Sequence, residues 1–390
     1  MNGVVMLVNE FPPLPIGGAE RQAERLAQFL AGQGWDIRVL TRGATGVPAR
    51  QQKDGYQVLR VRPRGPGKIK TATFVLGALG ILWRERRHYQ ILHAHLAFGP
   101  AFAAALVGRL LGKAVIVKFG NSGQFGDVQS SQKTWRGRLR LAALRRWANV
   151  VITLDEKMQA EALSAGFSEH QIRRMPNGID SRVFHACPDK EAAKIALGLS
   201  PALTILYTGR LNKQKSLDTL LLAMYAAEQQ IPNLQLLLVG DGPERHNLVM
   251  LAQELDLAEW VHFTGAVGDV SPYLAAADLF VLPSISEGIS NSLLEAMASG
   301  LACIATRVGG TADVLGTAGV IIPPRHPDGL ALEIVRLAQN PSEITRLGMA
   351  ARQRIAAEYD FEIVGARYIQ LYRRLMGSFE QDGSLPGGIA

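Results

Sequence analysis

Short Val/Ile/Leu-rich runs alternate with helix-period segments along nearly the whole 390-residue chain, and the alternation runs through twice. Val4–Val8, Asp36–Thr41, Tyr56–Val61, Gln90–Ala94, Ala114–Lys118 and Asn149–Thr153 have the length and composition of strands. After the first of them Ala23, Leu26, Ala27 and Leu30 follow the i, i+3, i+4, i+7 spacing of one helix face. A less regular stretch from Ser181 to Ser200 interrupts the series. It resumes with Leu203–Tyr207, Leu234–Val239, Val261–Thr264, Leu279–Leu282, Ala302–Ala305 and Val320–Ile322. None of these runs shows clean polar alternation, which is the pattern of parallel strands buried on both faces. The chain therefore predicts an α/β protein of two doubly wound, Rossmann-like domains. A last amphipathic segment spans 361–377, and a flexible tail is expected over 378–390.

Two cysteines, Cys187 and Cys303, are too few and too far apart for a disulfide framework or a Cys-rich zinc site. The first residues lack the basic region of a signal peptide and read as a strand. The longest uncharged apolar run, Leu96 to Gly108, falls short of the ~20 residues a membrane span needs. A soluble, cytoplasmic protein is the expectation.

The net charge of +8 conceals an asymmetry: residues 1–180 hold 26 Lys and Arg against 12 Asp and Glu, and residues 181–390 hold 16 against 22. The basic excess concentrates in Lys68–Arg87 and Lys133–Trp147, where Trp and Leu stand beside Arg in helix-period sequence. Packed helices with solvated basic faces account for this, as does adsorption to an anionic membrane surface. Nucleic acid is not expected as a partner, because no nucleic-acid-binding signature accompanies the charge.

Chemistry-bearing residues gather at strand ends. Glu287 and Gly288 follow the strand Leu279–Leu282, and Glu295 lies in the first turns of a helix beginning near Ser290. This is where open α/β sheets bind ligands, and the helix start offers free N–H groups to an anion. Arg210 and Lys215 follow the strand Leu203–Tyr207, spaced to converge on one anionic group. A Walker loop is excluded, since it needs glycine where Gln214 stands. Gly17 and Gly18 open the first helix and allow close approach of a phosphate or sugar, although a tight turn would use them equally well. His93 and His95 alternate at a strand end, so both face one side, and no third ligand nearby completes a zinc site. Each reads either as a structural histidine or as a substrate contact.

In this order Gly17-Gly18, His95, Pro176-Asn177-Gly178-Ile179-Asp180, Arg210/Lys215, Gly240-Asp241-Gly242-Pro243 and Glu287-x7-Glu295 resemble the family-four, group 1 retaining glycosyltransferases of GT-B fold, from about residue 4 to 375. The resemblance implies an acceptor-binding domain over 1–185 and a nucleotide-sugar-binding domain over 186–360, facing a central cleft, with helix 361–377 returning to the first domain. Arg210 and Lys215 would hold the donor diphosphate, Glu295 the ribose, and Glu287 the hydroxyls of the transferred sugar. Gly288, Ile289, Ser290 and Asn291 would close on the donor, Val267 would meet the base through its backbone, Gly17 and Gly18 would approach the phosphate or sugar, and His95 would orient the sugar. No cofactor and no metal are expected: no Asp-x-Asp motif occurs, and the Arg210/Lys215 pair would stand in for a divalent ion.

The donor would be a UDP- or GDP-sugar and the acceptor a glycan or lipid-linked intermediate of surface-polysaccharide assembly, at the inner face of a plasma membrane. Two departures stand out. Ser290, Asn291 and Ser292 replace the Gly and Pro usual in the glutamate motif, and Lys118-Phe119-Gly120 replaces a second His-Gly. A sugar-nucleotide epimerase or hydrolase, or a silent sugar-nucleotide-binding subunit, are the alternative readings. A dinucleotide oxidoreductase lacks its Gly-x-Gly-x-x-Gly after the first strand.

Overall fold

The structure, a computed structural model, describes residues 2–14, 17–123 and 126–381, with side chains except those of residues 68 and 378–381. The chain forms two compact units, residues 1–177 with 361–390 and residues 178–360.

The first unit contains strands β1 (Gly3–Leu7), β2 (Asp36–Arg42), β3 (Arg50–Lys53), β4 (Tyr56–Val61), β5 (Ile91–His95), β6 (Ala114–Lys118), β7 (Val150–Thr153) and β8 (Ile172–Arg174). They form one sheet in the order β3-β4-β2-β1-β5-β6-β7-β8, parallel except for the β3–β4 pair. The order reverses between β1 and β5. Helices α1 (Gly18–Gly32), α2 (Gly67–Arg84), α3 (Gly99–Leu111), α4 (Asp127–Gln132), α5 (Trp135–Trp147) and α6 (Glu156–Ser164) connect the strands. One face of the sheet, built by Val4, Met6, Ile37, Val39, Ile91, Ile116 and Ile152, packs with Leu26 and Leu30 of α1 and with Val364, Tyr368 and Tyr372 of the C-terminal helix Phe361–Gln381. Trp35 meets Tyr372 edge-on at 5.5 Å, and Phe29 lies 6.0 Å from Phe361.

The second unit contains β9 (Thr204–Thr208), β10 (Gln235–Val239), β11 (Val261–Gly265), β12 (Leu279–Leu282), β13 (Ala302–Thr306) and β14 (Val320–Ile322). They form an all-parallel sheet in the order β11-β10-β9-β12-β13-β14, which reverses between β9 and β12. The four inner strands β10, β9, β12 and β13 are wholly buried, whereas the edges β11 and β14 are mostly half-buried.

Three expectations need correction. The first unit ends at Asn177, not at 185, because the next residues pair with the segment just before Phe361. The Ile179 N–H donates to the Tyr359 carbonyl at 2.9 Å, Ile179 bridges Asp360, and the Ser181 hydroxyl bonds the Asp360 carboxylate. The C-terminal helix runs to Gln381, four residues past the expected end, because a glycine inside a helix costs only about 1 kcal/mol. The rest of the expected tail, 382–390, lies outside the described residues. Finally, β3 and β8 are strands that the apolar pattern misses. Both are edges, with sequences RQQK and IRR, and edge strands are commonly polar.

Candidate functional site: two strand-end clusters

In the second unit the loops after β9 and β12 carry Arg210, Lys215 and Glu287 on either side of the point where strand order reverses. That is where doubly wound sheets leave a crevice at the carboxyl ends of their strands. The Lys215 ammonium pairs with Glu287, whose carboxylate also accepts the Ser284 hydroxyl at 2.7 Å. Glu287 is buried and Lys215 half-buried, so the pair is shielded from solvent screening. Arg210 is exposed, and its guanidinium has no ion-pair partner among the described residues. Its backbone is fixed instead, because the buried Tyr207 hydroxyl donates to the Arg210 carbonyl at 3.2 Å. Burial, and then the nearby Glu287 charge, push the Tyr207 hydroxyl well above its usual pKa, so it remains a donor.

The two loops are stitched together. The Gln214 side chain donates to the Ser286 carbonyl at 2.7 Å, and the Ile285 N–H returns a bond to the Gln214 carbonyl at 2.9 Å. Gln214, which in the sequence only marks a departure from the Walker pattern, is thus the tie between the cation loop and the glutamate loop. Thr306 at the end of β13 donates to the Ser284 carbonyl at 2.5 Å. The Gly310 N–H donates to the Gly288 carbonyl at 3.0 Å.

Ser290 caps the helix Asn291–Ala298, accepting from the Leu293 N–H and meeting the Ser292 hydroxyl at 2.9 Å. Glu295, one turn into that helix, is buried, and Ile289 and Asn291 have partners of their own. Gly240 and Gly242 let the loop after β10 lie against the β9 loop: a Cβ on Gly240 would stand 1.9 Å from the Gly209 carbonyl, and one on Gly242 would stand 2.2 Å from that of Leu211. Val267 lies apart from this group, in the loop after the edge strand β11, two strands from β9.

In the first unit Gly17 caps α1 after β1, and His95 ends β5, again on the two strands where the order reverses. His95 is buried, and neither ring nitrogen has a hydrogen-bond partner among the described residues. Burial, the neighbouring His93 and then Lys118 hold its pKa well below the usual imidazole value, so it is uncharged at neutral pH. Leu96, the next residue, sits in the left-handed region at φ 74, where a branched side chain is strained and where functional sites concentrate.

Asp127, which the sequence alone does not single out, organises this edge. Buried at the start of α4, its carboxylate accepts the N–H groups of Ala97 at 2.8 Å, Gly120 at 2.7 Å and Asn121 at 3.3 Å. One side chain thereby holds the loops that follow β5 and β6. Burial raises its pKa, and the three N–H donors oppose that rise.

The comparisons with known proteins cover both units. Residues 16–183 match the family described as Glycosyltransferase Family 4, and residues 202–340 match Glycosyl transferases group 1. The N-acetyl-alpha-D-glucosaminyl L-malate synthase of Bacillus anthracis is 26% identical over 364 residues, covering 92% of this chain and 94% of that protein. A GDP-mannose-dependent monoacylated alpha-(1-6)-phosphatidylinositol monomannoside mannosyltransferase of Corynebacterium glutamicum is 28% identical over 383 residues, 93% and 96% of the two chains. Among solved structures, a sucrose-phosphate synthase from Thermosynechococcus elongatus matches with a TM-score of 0.82 at 24% identity, covering 97% of this chain and all of that one. At such identity the likeness speaks for the fold alone, which is GT-B. With both units matched, the chain belongs to the group 1, family-four glycosyltransferases, which transfer a sugar from a nucleotide sugar to an acceptor.

Proposed function

We propose that the enzyme transfers a sugar from a UDP- or GDP-sugar with retention of anomeric configuration, without a metal ion, to a glycan or lipid-linked acceptor of surface-polysaccharide assembly. The observation that carries this reading is the Lys215–Glu287 pair at the strand-order reversal of the second unit, with Arg210 five residues before Lys215 in the loop after β9. A leaving diphosphate gathers negative charge as its bond to the sugar breaks. Lys215 and Arg210 neutralise that charge, each worth about 3–4 kcal/mol at the transition state. The tie to Glu287 restrains the Lys215 ammonium before the donor arrives, which lowers the ordering cost of binding.

Glu287 accepts hydrogen bonds from hydroxyls of the transferred sugar and Glu295 from the ribose, while Val267 meets the base through its backbone. On the acceptor side, Gly18 approaches the phosphate or sugar, and His95 orients the sugar as an uncharged imidazole. Retention follows from attack on the face the leaving group vacates. The bond from the anomeric carbon to phosphate breaks, the bond to the acceptor oxygen forms on the same side, and the acceptor proton passes to the departing phosphate oxygen.

A membrane-adjacent acceptor is supported by the first unit's surface. Ile69, Leu76 and Trp83 repeat at seven-residue intervals along α2 and are 59%, 66% and 52% exposed, and Trp135 and Leu139 of α5 are exposed among Arg136, Arg138, Arg145 and Arg146. No helix among the described residues is long and apolar enough to cross a membrane.

The direct test is a thermal-shift panel of UDP, GDP, ADP, their sugar conjugates and NAD without added metal. A ligand at 100 times its Kd adds about 2.7 kcal/mol to the native state, so the donor nucleotide should raise Tm visibly. A shift with NAD and none with any sugar nucleotide would overturn the reading.

A further inference from the structure

Three neighbouring ionisable side chains, His93, His95 and Lys118, interrupt the apolar face of the first unit's sheet on β5 and β6. In register, His93 of β5 lies between Met6 of β1 and Ile116 of β6, and His95 lies beside Lys118, which has Ile152 of β7 on its other side. Residues level with one another in a parallel sheet face the same way, so His95 and Lys118 are neighbours under the same cover. That cover is the C-terminal helix. Tyr372 places its hydroxyl 2.7 Å from His93 Nδ1, and the Tyr368 ring lies 5.6 Å from the His93 ring and 5.6 Å from Lys118 Nζ. The His93 and His95 rings are tilted against each other at 4.4 Å. Lys118 is only 6% exposed and has no carboxylate partner among the described residues. A lysine seldom occupies such a place without a role, since burying its charge is costly and an apolar residue would fit the face better.

We propose that Lys118 is a positioning residue for sugar transfer, acting on the substrate through His95 from the adjacent strand. The inference rests on the assignment of His95 to the sugar. A neutral imidazole offers one donor and one acceptor to a sugar hydroxyl, whereas the imidazolium offers two donors. Among the described residues, the ionisable groups in contact with this cluster are His93 from β5 and Tyr368 and Tyr372 from the C-terminal helix; Met6 and Ile152 carry no charge.

Burial pushes the Lys118 amine down to about 7, and burial, then Lys118, push His93 down to about 3. Lys118 is therefore charged in the acid range where an ordinary histidine would protonate. Its ammonium repels a second proton from His95 and rests on the Tyr368 ring. The sugar meets an imidazole that keeps its acceptor nitrogen as pH falls.

The test uses the full-length chain carrying Lys118→Met, Lys118→Arg and His95→Phe, with UDP-glucose and GDP-mannose as donors and nucleoside diphosphate release as the assay. Nitrogen-15 NMR of labelled histidines reads the His95 titration independently of activity. In Lys118→Met the His95 midpoint should rise by about one pH unit. The acid limb of its kcat/KM profile should move up by the same interval, while Lys118→Arg keeps the wild-type profile. Tm should stay level or rise, because a buried amine is replaced by an apolar chain of similar length. An unmoved His95 midpoint with a wild-type pH profile in Lys118→Met would overturn the inference alone. Full activity in His95→Phe would overturn the His95 assignment, and the inference with it.

Discussion

Gly309 stands against the backbone of Glu287: a Cβ on Gly309 would lie 2.0 Å from the Glu287 carbonyl oxygen. Gly309 also has φ of +50, a conformation that costs other residues about 1 kcal/mol or more. Together with the Gly310–Gly288 hydrogen bond, this contact sets the height of the glutamate loop above the sheet. Gly309→Ala should displace that loop, lowering kcat/KM about tenfold or more while Tm drops by only a few degrees. Unchanged kinetics would mean that the loop position is set elsewhere.

Lys215→Ala removes one of the two cations and leaves the Glu287 carboxylate buried with only the Ser284 hydroxyl of its two side-chain partners. Turnover should fall at least about a hundredfold with the fold intact. Near-normal turnover alongside a native circular-dichroism spectrum would remove Lys215 from the mechanism.

Acid should destabilise the first unit through its buried imidazoles. Burial holds His93 down to about 3 in the folded chain, against roughly 6.5 when unfolded. Between those values the unfolded chain binds more protons, so stability is present above pH 6.5 and is lost as pH falls towards 3. The slope approaches about 1.4 kcal/mol per pH unit for His93 alone, and His95 acts in the same direction. Asp127 and Glu20, whose pKa values burial raises, oppose this nearer the carboxylate range. Urea unfolding at pH 7 and pH 5 should give the lower midpoint at pH 5, and equal midpoints would show that these histidines are hydrated.

Tyr372→Phe deletes the hydroxyl that meets His93 Nδ1 and leaves a buried ring nitrogen unpaired. The cost should be about 1–3 kcal/mol, read as a lower urea midpoint. Because Tyr372 belongs to the C-terminal helix, hydrogen exchange should rise in β5 and β6 rather than in β9–β14. Uniform protection loss in both units would contradict that assignment.

Vesicle binding is the test of the exposed stripe. Replacing Leu76, Trp83, Trp135 and Leu139 by Ser and Arg136, Arg138, Arg145 and Arg146 by Gln should abolish co-sedimentation with phosphatidylglycerol vesicles. Each buried CH₂ contributes about 0.8 kcal/mol to such adsorption, so the apolar set alone should have a measurable effect. An undiminished pellet would refute the membrane reading. Arg140 is left out of the set because it is half-buried, bonds Ser131 at 2.8 Å and covers Phe98.

The parts of this molecule that were legible in sequence are those whose signal is local. Continuous apolar runs mark twelve strands because a strand buried on both faces leaves no polar position, whereas RQQK and IRR carry no such signal and yet pair at sheet edges. Glu287, Arg210 and His95 could be found because each lies at, or within a few residues after, the end of a strand. Gln214, Asp127 and Gly309 could not be ranked in that way, since their work is done on backbone groups distant in sequence: Ser286, Ala97 and the Glu287 carbonyl. His93 and Lys118 stand out in the sequence, but their contacts do not, because their partners Tyr372 and Tyr368 lie 250 or more residues later.

The chain leaves its first unit at Asn177 and re-enters it at Phe361, so the second unit is an insertion. On the ribosome the inserted unit is therefore complete before the enclosing one, whose sheet waits for the last helix to close over His93 and Lys118. A chain truncated shortly after Asp360 would carry a complete second unit and, hundreds of residues upstream, a sheet face covered by α1 alone and otherwise open to water. Quality control of this enzyme should thus respond to lesions near its C-terminus as failures of its N-terminal half.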